Sequence, residues 1–200
     1  MNRRLVGVWV CVLGMVSVSI GQEQPGATPM APDEQAAMRA WQEAMTPGEH
    51  HKAMESMVGT FKATVSYRVA PGAPEQTSEG KSINTMILGG RYIQQQYAGE
   101  MMGMPFNGIG LMGYDNLTGK HTQLWIDDVS TTMMFAEGEC SEDGKVYTFQ
   151  GKYVAPITRQ EKQYKNVTKV IDANRHEFQM YDVQPDGSEF ASLTIIYTKQ

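Results

Sequence analysis

Three groups of side chains in this sequence have types and spacings that bear on chemistry. The first is soft and metal-like. His50, His51, Met54 and Met57 share one short stretch, and Met101, Met102 and Met104 crowd another. Imidazole and thioether together suit copper. Adjacent histidines on a helix, however, point about 100° apart and cannot both face one ion without distortion, and Met is a general filler of apolar gaps. Packing accounts for these residues better than a copper site does. The second group is acid–base: Asp115, Asp127 and Asp128, with His121 and His176 as bases. Neither a Gly-x-Ser-x-Gly elbow nor a His-Glu-x-x-His accompanies them. Asp115 lies in Gly113-Tyr114-Asp115-Asn116, where an Asp bonds its own backbone to make a turn. His176 opens a strand after Asn174, a place for a half-exposed residue. It could also ligate a heme in a barrel lumen, although no second feature stands beside it. The third group is Arg91, Gln95, Tyr114, Trp125 and Asp127. An indole offers a stacking face with a polar edge, and a guanidinium can pair a carboxylate. Trp125 and Asp127 are two residues apart, so on a strand they face the same way. Such a pair suits an apolar pocket with a few placed polar groups better than a dry core, where a buried Asp needs a partner.

The elements that must position these groups follow from the rest of the chain. Two hundred residues suffice for one domain with a real core. The chain opens with Arg3 and Arg4, an uncharged apolar run from Leu5 to Val18, and Ser19-Ile20-Gly21. That is the pattern of a signal peptide over residues 1–21, and the run is shorter than the roughly 20 residues a membrane span needs. Cys11 lies inside the run rather than at its end, which argues against a lipoprotein anchor. Residues 22–32 are rich in Pro, Gly and Gln and read as a flexible linker, leaving 33–200 as a single domain with a helical start. In "DEQAAMRAWQEAM" the residues Ala37, Met38, Trp41 and Met45 share one helical face. A second short helix is expected next, capped by Thr46 with Pro47 at its first position. Glu49 completes a capping box and Gly59 is the stop.

From Gly59 onward the period changes to two. Phe61, Ala63, Val65, Tyr67 and Val69 fall on one face and Lys62, Thr64, Ser66 and Arg68 on the other, the alternation of a strand with one wet side. The pattern recurs to the C-terminus. It predicts strands at 60–70, 78–88, 91–99, 107–115, 120–128, 131–140, 145–154, 163–172, 175–184 and 188–199. Gly89-Gly90, Asn116 to Gly119, Asp143-Gly144, Ala173-Asn174 and Asp186-Gly187 supply the turns. No helix of useful length lies between them, so parallel crossovers are excluded. The expected fold is all-β: a ten-stranded antiparallel up-and-down barrel, preceded by one or two short helices. Closure removes both sheet edges. A two-sheet sandwich is the alternative.

Several motifs in this frame recur as a set: Gly89-Gly90-Arg91-Tyr92, the Gly-x-Pro-Phe-x-Gly-x-Gly of 103–110, Gly113-Tyr114-Asp115-Asn116 and Trp125-Ile126-Asp127. With the Pro-Gly-Glu-His-His of 47–51 and Gly59-Thr60-Phe61, they make residues 43–199 resemble the exported bacterial proteins grouped as the "domain of unknown function 1579" family. That family has no established activity, so the resemblance implies no catalytic residue. It implies a calycin-like barrel, similar to the lipocalin and fatty-acid-binding group, in which a Gly-x-Trp on the first strand seals one end. Here Phe61 takes the place of that Trp, and a Phe can also plug an apolar end.

Composition narrows the function. The net charge is −5, with no Lys/Arg cluster, which argues against a nucleic-acid partner. No cationic amphipathic helix suggests membrane docking, and no stable anchor remains once the leader is cleaved. The glycines of 99–113 lack the Lys-Ser/Thr and following helix of a phosphate loop, so no cofactor is expected. Without the leader, Cys140 is the lone cysteine, and its acidic neighbours Glu139 and Glu142 disfavour a thiolate. Mixed polarity along "RYIQQQY" and "SINTM" fits a wet, partly polar lumen. The expectation is an exported protein, periplasmic or secreted, that binds a small amphipathic molecule without catalysis. Arg91, Gln95, Tyr114, Trp125 and Asp127 would line or gate the site. The alternatives are a periplasmic copper protein using Met and His, a barrel with no ligand, and an enzyme of unrecognised type. Mass spectrometry of material from the native host should find the mature N-terminus at or near Gln22; an intact Met1 would refute the leader.

Overall fold

The computed structural model describes residues 31–200; the expected leader at 1–21 and nearly all of the expected linker at 22–32 lie outside the described residues. Helix α1 spans Pro32–Met45 and α2 Glu49–Ala53, followed by a 3-10 turn, Met54–Met57. Ten strands then follow: β1 Gly59–Tyr67, β2 Gln76–Ile87, β3 Tyr92–Met101, β4 Met104–Asp115, β5 Lys120–Asp127, β6 Met134–Cys140, β7 Val146–Val154, β8 Glu161–Asp172, β9 Arg175–Val183 and β10 Glu189–Lys199. Each pairs antiparallel with its neighbours in sequence, and β1 pairs with β10 from Phe61↔Lys199 to Tyr67↔Leu193, closing the barrel. Each expected strand is present, with ends displaced by at most a few residues.

Alternation decides what faces in. In β1, Phe61, Ala63 and Val65 are buried while Lys62 and Thr64 are exposed. In β8, Tyr164, Asn166 and Thr168 are buried at the same spacing. Period-2 burial of this kind is what a closed sheet with a solvated outer face requires. Up-and-down topology puts the β1–β2, β3–β4, β5–β6, β7–β8 and β9–β10 loops at one end. The other end receives the chain from α2. There Met54 and Met57 are buried against Ile93, Met112, Tyr147 and Phe149, and Asn84 Nδ2 donates to the Met57 carbonyl at 2.9 Å. The 3-10 turn is thus a stopper, inserted through its methionines. Phe61 is buried near this end, its ring edge-on to His176 at 4.6 Å.

The helix start differs from the sequence expectation. Gly48, not Thr46, occupies the N-cap of α2, and its N–H donates to His51 Nδ1 at 3.1 Å. Thr46 belongs to α1: its hydroxyl donates back to the Gln42 carbonyl at 2.6 Å. His51 performs the reach-back that a capping-box Glu would have made, and Glu49 opens the helix instead. No residue of α1 is buried, and Trp41 is 65% exposed, so the apolar face of this helix is not turned into the barrel. Its last carbonyls are held from outside. Asn116 Nδ2 donates to Glu43 (2.9 Å) and Thr46 (2.8 Å), and Arg91 donates to Met45. These are the carbonyls that a helix end leaves without partners of its own.

Gly138 of β6 shows how tightly the wall is drawn. A Cβ there would collide with the backbone of Thr148 and Phe149 on β7, which cannot yield without breaking the ladder. Gly138→Ala should therefore lower the unfolding free energy by about 3 kcal/mol. Gly48→Ala, where a Cβ meets nothing within 4 Å, should cost less than about 1 kcal/mol. Urea unfolding of both variants checks the contrast, and equal effects would refute it.

Candidate ligand-binding lumen

Between the stopper and the open end lies a cavity of about 390 Å³, inside the range typical of small-molecule sites. Its floor includes Met57, Ile93 and Met112, and its upper wall Tyr97, Phe106 and Trp125. The indole of Trp125 has its place because β4 carries no side chain opposite it. A Cβ on Gly108 would come within 2.1 Å of the indole, and Gly110, paired with Trp125 across the ladder, leaves further room. The three aromatic rings contact one another. Phe106 and Trp125 stack with centroids 6.3 Å apart, Tyr97 meets Phe106 at 5.9 Å, and Tyr97 meets Trp125 at 6.5 Å.

Polar groups are few and mostly tied. Trp125 Nε1 donates to Asp127 Oδ2 at 3.0 Å, and the Val129 N–H donates to the other carboxylate oxygen at 3.2 Å. Gln95 Nε2 donates to the Ser82 hydroxyl (2.9 Å) and to the Tyr197 hydroxyl (3.1 Å). Ser82 in turn donates to Asn84 Oδ1 at 2.7 Å, so a chain of bonds runs from the lumen wall to the stopper's backbone. Asn166 Nδ2 donates to Gln123 Oε1 at 2.9 Å, but its Oδ1, like the Ser78 hydroxyl, is buried with no partner among the described residues. Unpaired buried polar atoms are uncommon, and in a cavity they are available to a guest.

Of the five residues expected to line or gate the lumen, Gln95, Trp125 and Asp127 do line it. Arg91 does not. Leu88, Gly89 and Gly90 all take positive φ, and the turn they form carries Arg91 onto the carbonyls of Leu88 and Met45. Tyr114 shares the inward parity of Met112 but lies under the stopper. It stacks on His50 at 4.0 Å and stands 4.8 Å from His121. Sequence reasoning passed over Tyr97 and Phe106, although Tyr97 has the parity of Gln95 and Phe106 that of Gly110. His176, expected half-exposed, is 4% exposed and stacked on Tyr197 at 4.5 Å. It sits at the stoppered end, where the Phe61 edge covers it.

Burial governs the titrating groups. It drives the pKa of His121 down to about 4, with His50 nearby adding to the effect, and it does the same for His176. The Cys140 thiol is raised chiefly by burial, and the only acidic neighbour contributing is Asp143 rather than Glu139 or Glu142. Asp115 makes its turn as expected, accepting from the Leu117 N–H and the Thr118 hydroxyl. The His50–Met57 segment lies at the stoppered end and Met101–Met104 at the open end. The length of β3, roughly 30 Å by strand rise, separates them. Among the described residues no three His, Cys, Asp or Glu side chains are grouped to hold a metal ion, and no helix is long and apolar enough to cross a membrane.

The family model described as "Protein of unknown function (DUF1579)" matches residues 46–199. Among solved structures, the chain is similar to the crystal structure of Rv2717c from M. tuberculosis, with 12% identity and a TM-score of 0.58 over 78% of this chain and 99% of that one. At that identity the likeness speaks to the fold alone. Two further barrels lie at a TM-score of 0.39 and carry no argument. One is a redesigned beta barrel, b11L5F_LGL, at 15% identity, covering 74% of this chain and 95% of its own. The other is EF1p2_mFAP2b bound to DFHBI, at 13% identity, covering 76% and 100%. No curated protein matches the sequence.

Two of the three buried histidines, His121 and His176, make a pH prediction. Both titrate near 6.5 when unfolded and near 4 in the fold, so below pH 6.5 the unfolded chain takes up protons that the folded chain refuses. Their contribution is whole above about pH 7 and is lost progressively from 6.5 to about 4, by roughly 3 kcal/mol per ring. Urea unfolding at pH 7.5 and 4.5 should show that loss. His176→Phe, which keeps an aromatic ring against Tyr197 but cannot titrate, should remove one ring's share of it, while buried His51, also held low by burial, adds to what remains. Stability that holds level over this window would overturn the account.

Proposed function

The chain belongs to the DUF1579 family of proteins of unknown function, and we propose from that premise that its barrel holds a small amphipathic molecule in the lumen, without chemical conversion. The observation carrying this reading is the Trp125–Asp127 pair: an indole and a carboxylate, hydrogen-bonded to each other, on the wall of a mostly apolar cavity of about 390 Å³. A guest's apolar part is accommodated by Ile93, Met112, Phe106 and their neighbours, and its polar part by the few groups that remain free to bond. Gly108 supports the reading further, since the strand gives up a side chain to seat the indole on the cavity wall.

A non-catalytic role is supported by the placement of the acid–base groups. Asp127 ends β5 at the open mouth, whereas His176 starts β9 at the stoppered end. Among the described residues neither Asp127 nor His176 has a hydroxyl or thiol as a hydrogen-bond partner, so neither is set to activate a nucleophile on the lumen wall. We also propose that the protein works outside the cytoplasm, on the strength of the leader-like residues 1–21.

Trp fluorescence tests the reading. Trp125 is half-buried in the lumen and Trp41 is exposed on α1, so a guest should change the emission of the first alone. Titration with eight-carbon amphiphiles of differing head group should give a saturable change that Trp125→Phe abolishes, with a matching mass shift in native mass spectrometry. No change with any head group, and no bound mass, would overturn lumen binding.

A further inference from the structure

The charged side chains on the lumen wall all have the same electrostatic sense. Asp127 and Glu100 are the charged side chains lining the cavity, and no Lys or Arg lines it. Arg91, the guanidinium that could have met a carboxylate, is occupied outside with the carbonyls of Leu88 in its own turn and Met45 at the end of α1. His176 lines the lumen but is neutral at ordinary pH, because burial holds its pKa near 4. Asn166 presents a buried carbonyl oxygen with no donor to it. A guest carboxylate would meet two like charges and no cation. The wall asks for donors and positive charge.

The mouth of the lumen supplies the rest of a cation site. Each oxygen of Asp127 accepts one hydrogen bond, from the Trp125 indole and from the Val129 backbone, and neither donor is charged. None of the ion pairs among the described residues involves it. Its neighbours on the wall are the rings of Trp125, Phe106 and Tyr97, which touch one another at centroid distances of 5.9 to 6.5 Å. Aromatic faces attract organic cations, and more strongly where water is partly excluded. A half-buried carboxylate lacking a cation gains by receiving one. We propose that the lumen binds a hydrophobic organic cation, an alkyl- or arylammonium, with its ammonium at Asp127 against Trp125, Phe106 and Tyr97 and its apolar body directed toward Ile93 and Met112. This rests on the lumen-binding reading and names the class of guest.

The test compares three probes of one chain length: octylamine, octanol and octanoate, each below its aggregation threshold at pH 7. Affinity is read by Trp125 fluorescence and by calorimetry. Octylamine should bind at least about tenfold tighter than octanol, and octanoate should bind weakest. Raising the salt concentration should narrow the gap between octylamine and octanol. In Asp127→Asn the amide oxygen can still accept the Trp125 bond while the charge is gone, and the ratio of octylamine to octanol affinity should fall toward one. Octanol or octanoate matching octylamine in the unaltered protein would overturn the cation assignment and leave lumen binding standing. A preference for octylamine that survives Asp127→Asn would overturn the role of Asp127. If none of the three binds, both readings fall. The comparison on the unaltered chain needs no variant, so a poorly folding substitution would not spare the proposal.

Discussion

Closing a sheet of ten strands commits the molecule to an interior too wide for its own side chains. In barrels of about eight strands the inward residues fill the space, and each added strand widens it. Here the two buried clusters line the wall without meeting in the middle, so a cavity remains between them. The same closure leaves two open ends, and the chain stops one of them with its own preceding segment. Met54 and Met57 enter that end, while Tyr114 stacks against His50 of α2 with His121 beside it. The lumen, its open end and the burial of the histidines all descend from the number of strands.

The strands were legible in the sequence because the information for them is local. A period of two and a Gly or Asn at each turn are properties of neighbouring residues, and the closed register follows from sequential hairpins with no helix to interrupt them. The start of α2 was misread for an equally local reason. Thr46, Pro47 and Glu49 match the usual capping pattern, but Thr46 was already spent on the Gln42 carbonyl, and His51 supplied the partner for Gly48. Two caps competed within a few residues, and sequence spacing does not say which helix a shared Thr will serve.

The site was legible only where its geometry is contained in one strand. Trp125 and Asp127 lie two apart, and period two puts them side by side. Arg91 was out of reach of that argument, since its side chain direction depends on three successive positive-φ residues and on where α1 ends. Tyr114 has the right parity but the wrong depth, and depth depends on which end the helix stoppers. Tyr97 and Phe106 belong to the site through contacts across strands, yet their parity alone could have marked them as inward. What the sequence hides is the vertical coordinate of each inward residue, which is fixed by register summed around the whole ring.

The β1–β10 pairing sets the order in which such a molecule can assemble. All other ladders join strands that follow one another through short loops, so each can zip from a nearby turn. The seam joins Phe61 to Lys199, almost the full length of the folded chain, and long closures are the slow, entropically costly ones. Until it shuts, the nine hairpins form a curled open sheet whose edges are β1 and β10 and whose inward aromatic residues face water. The folding chain is therefore most exposed to association with other copies just before its last ladder forms.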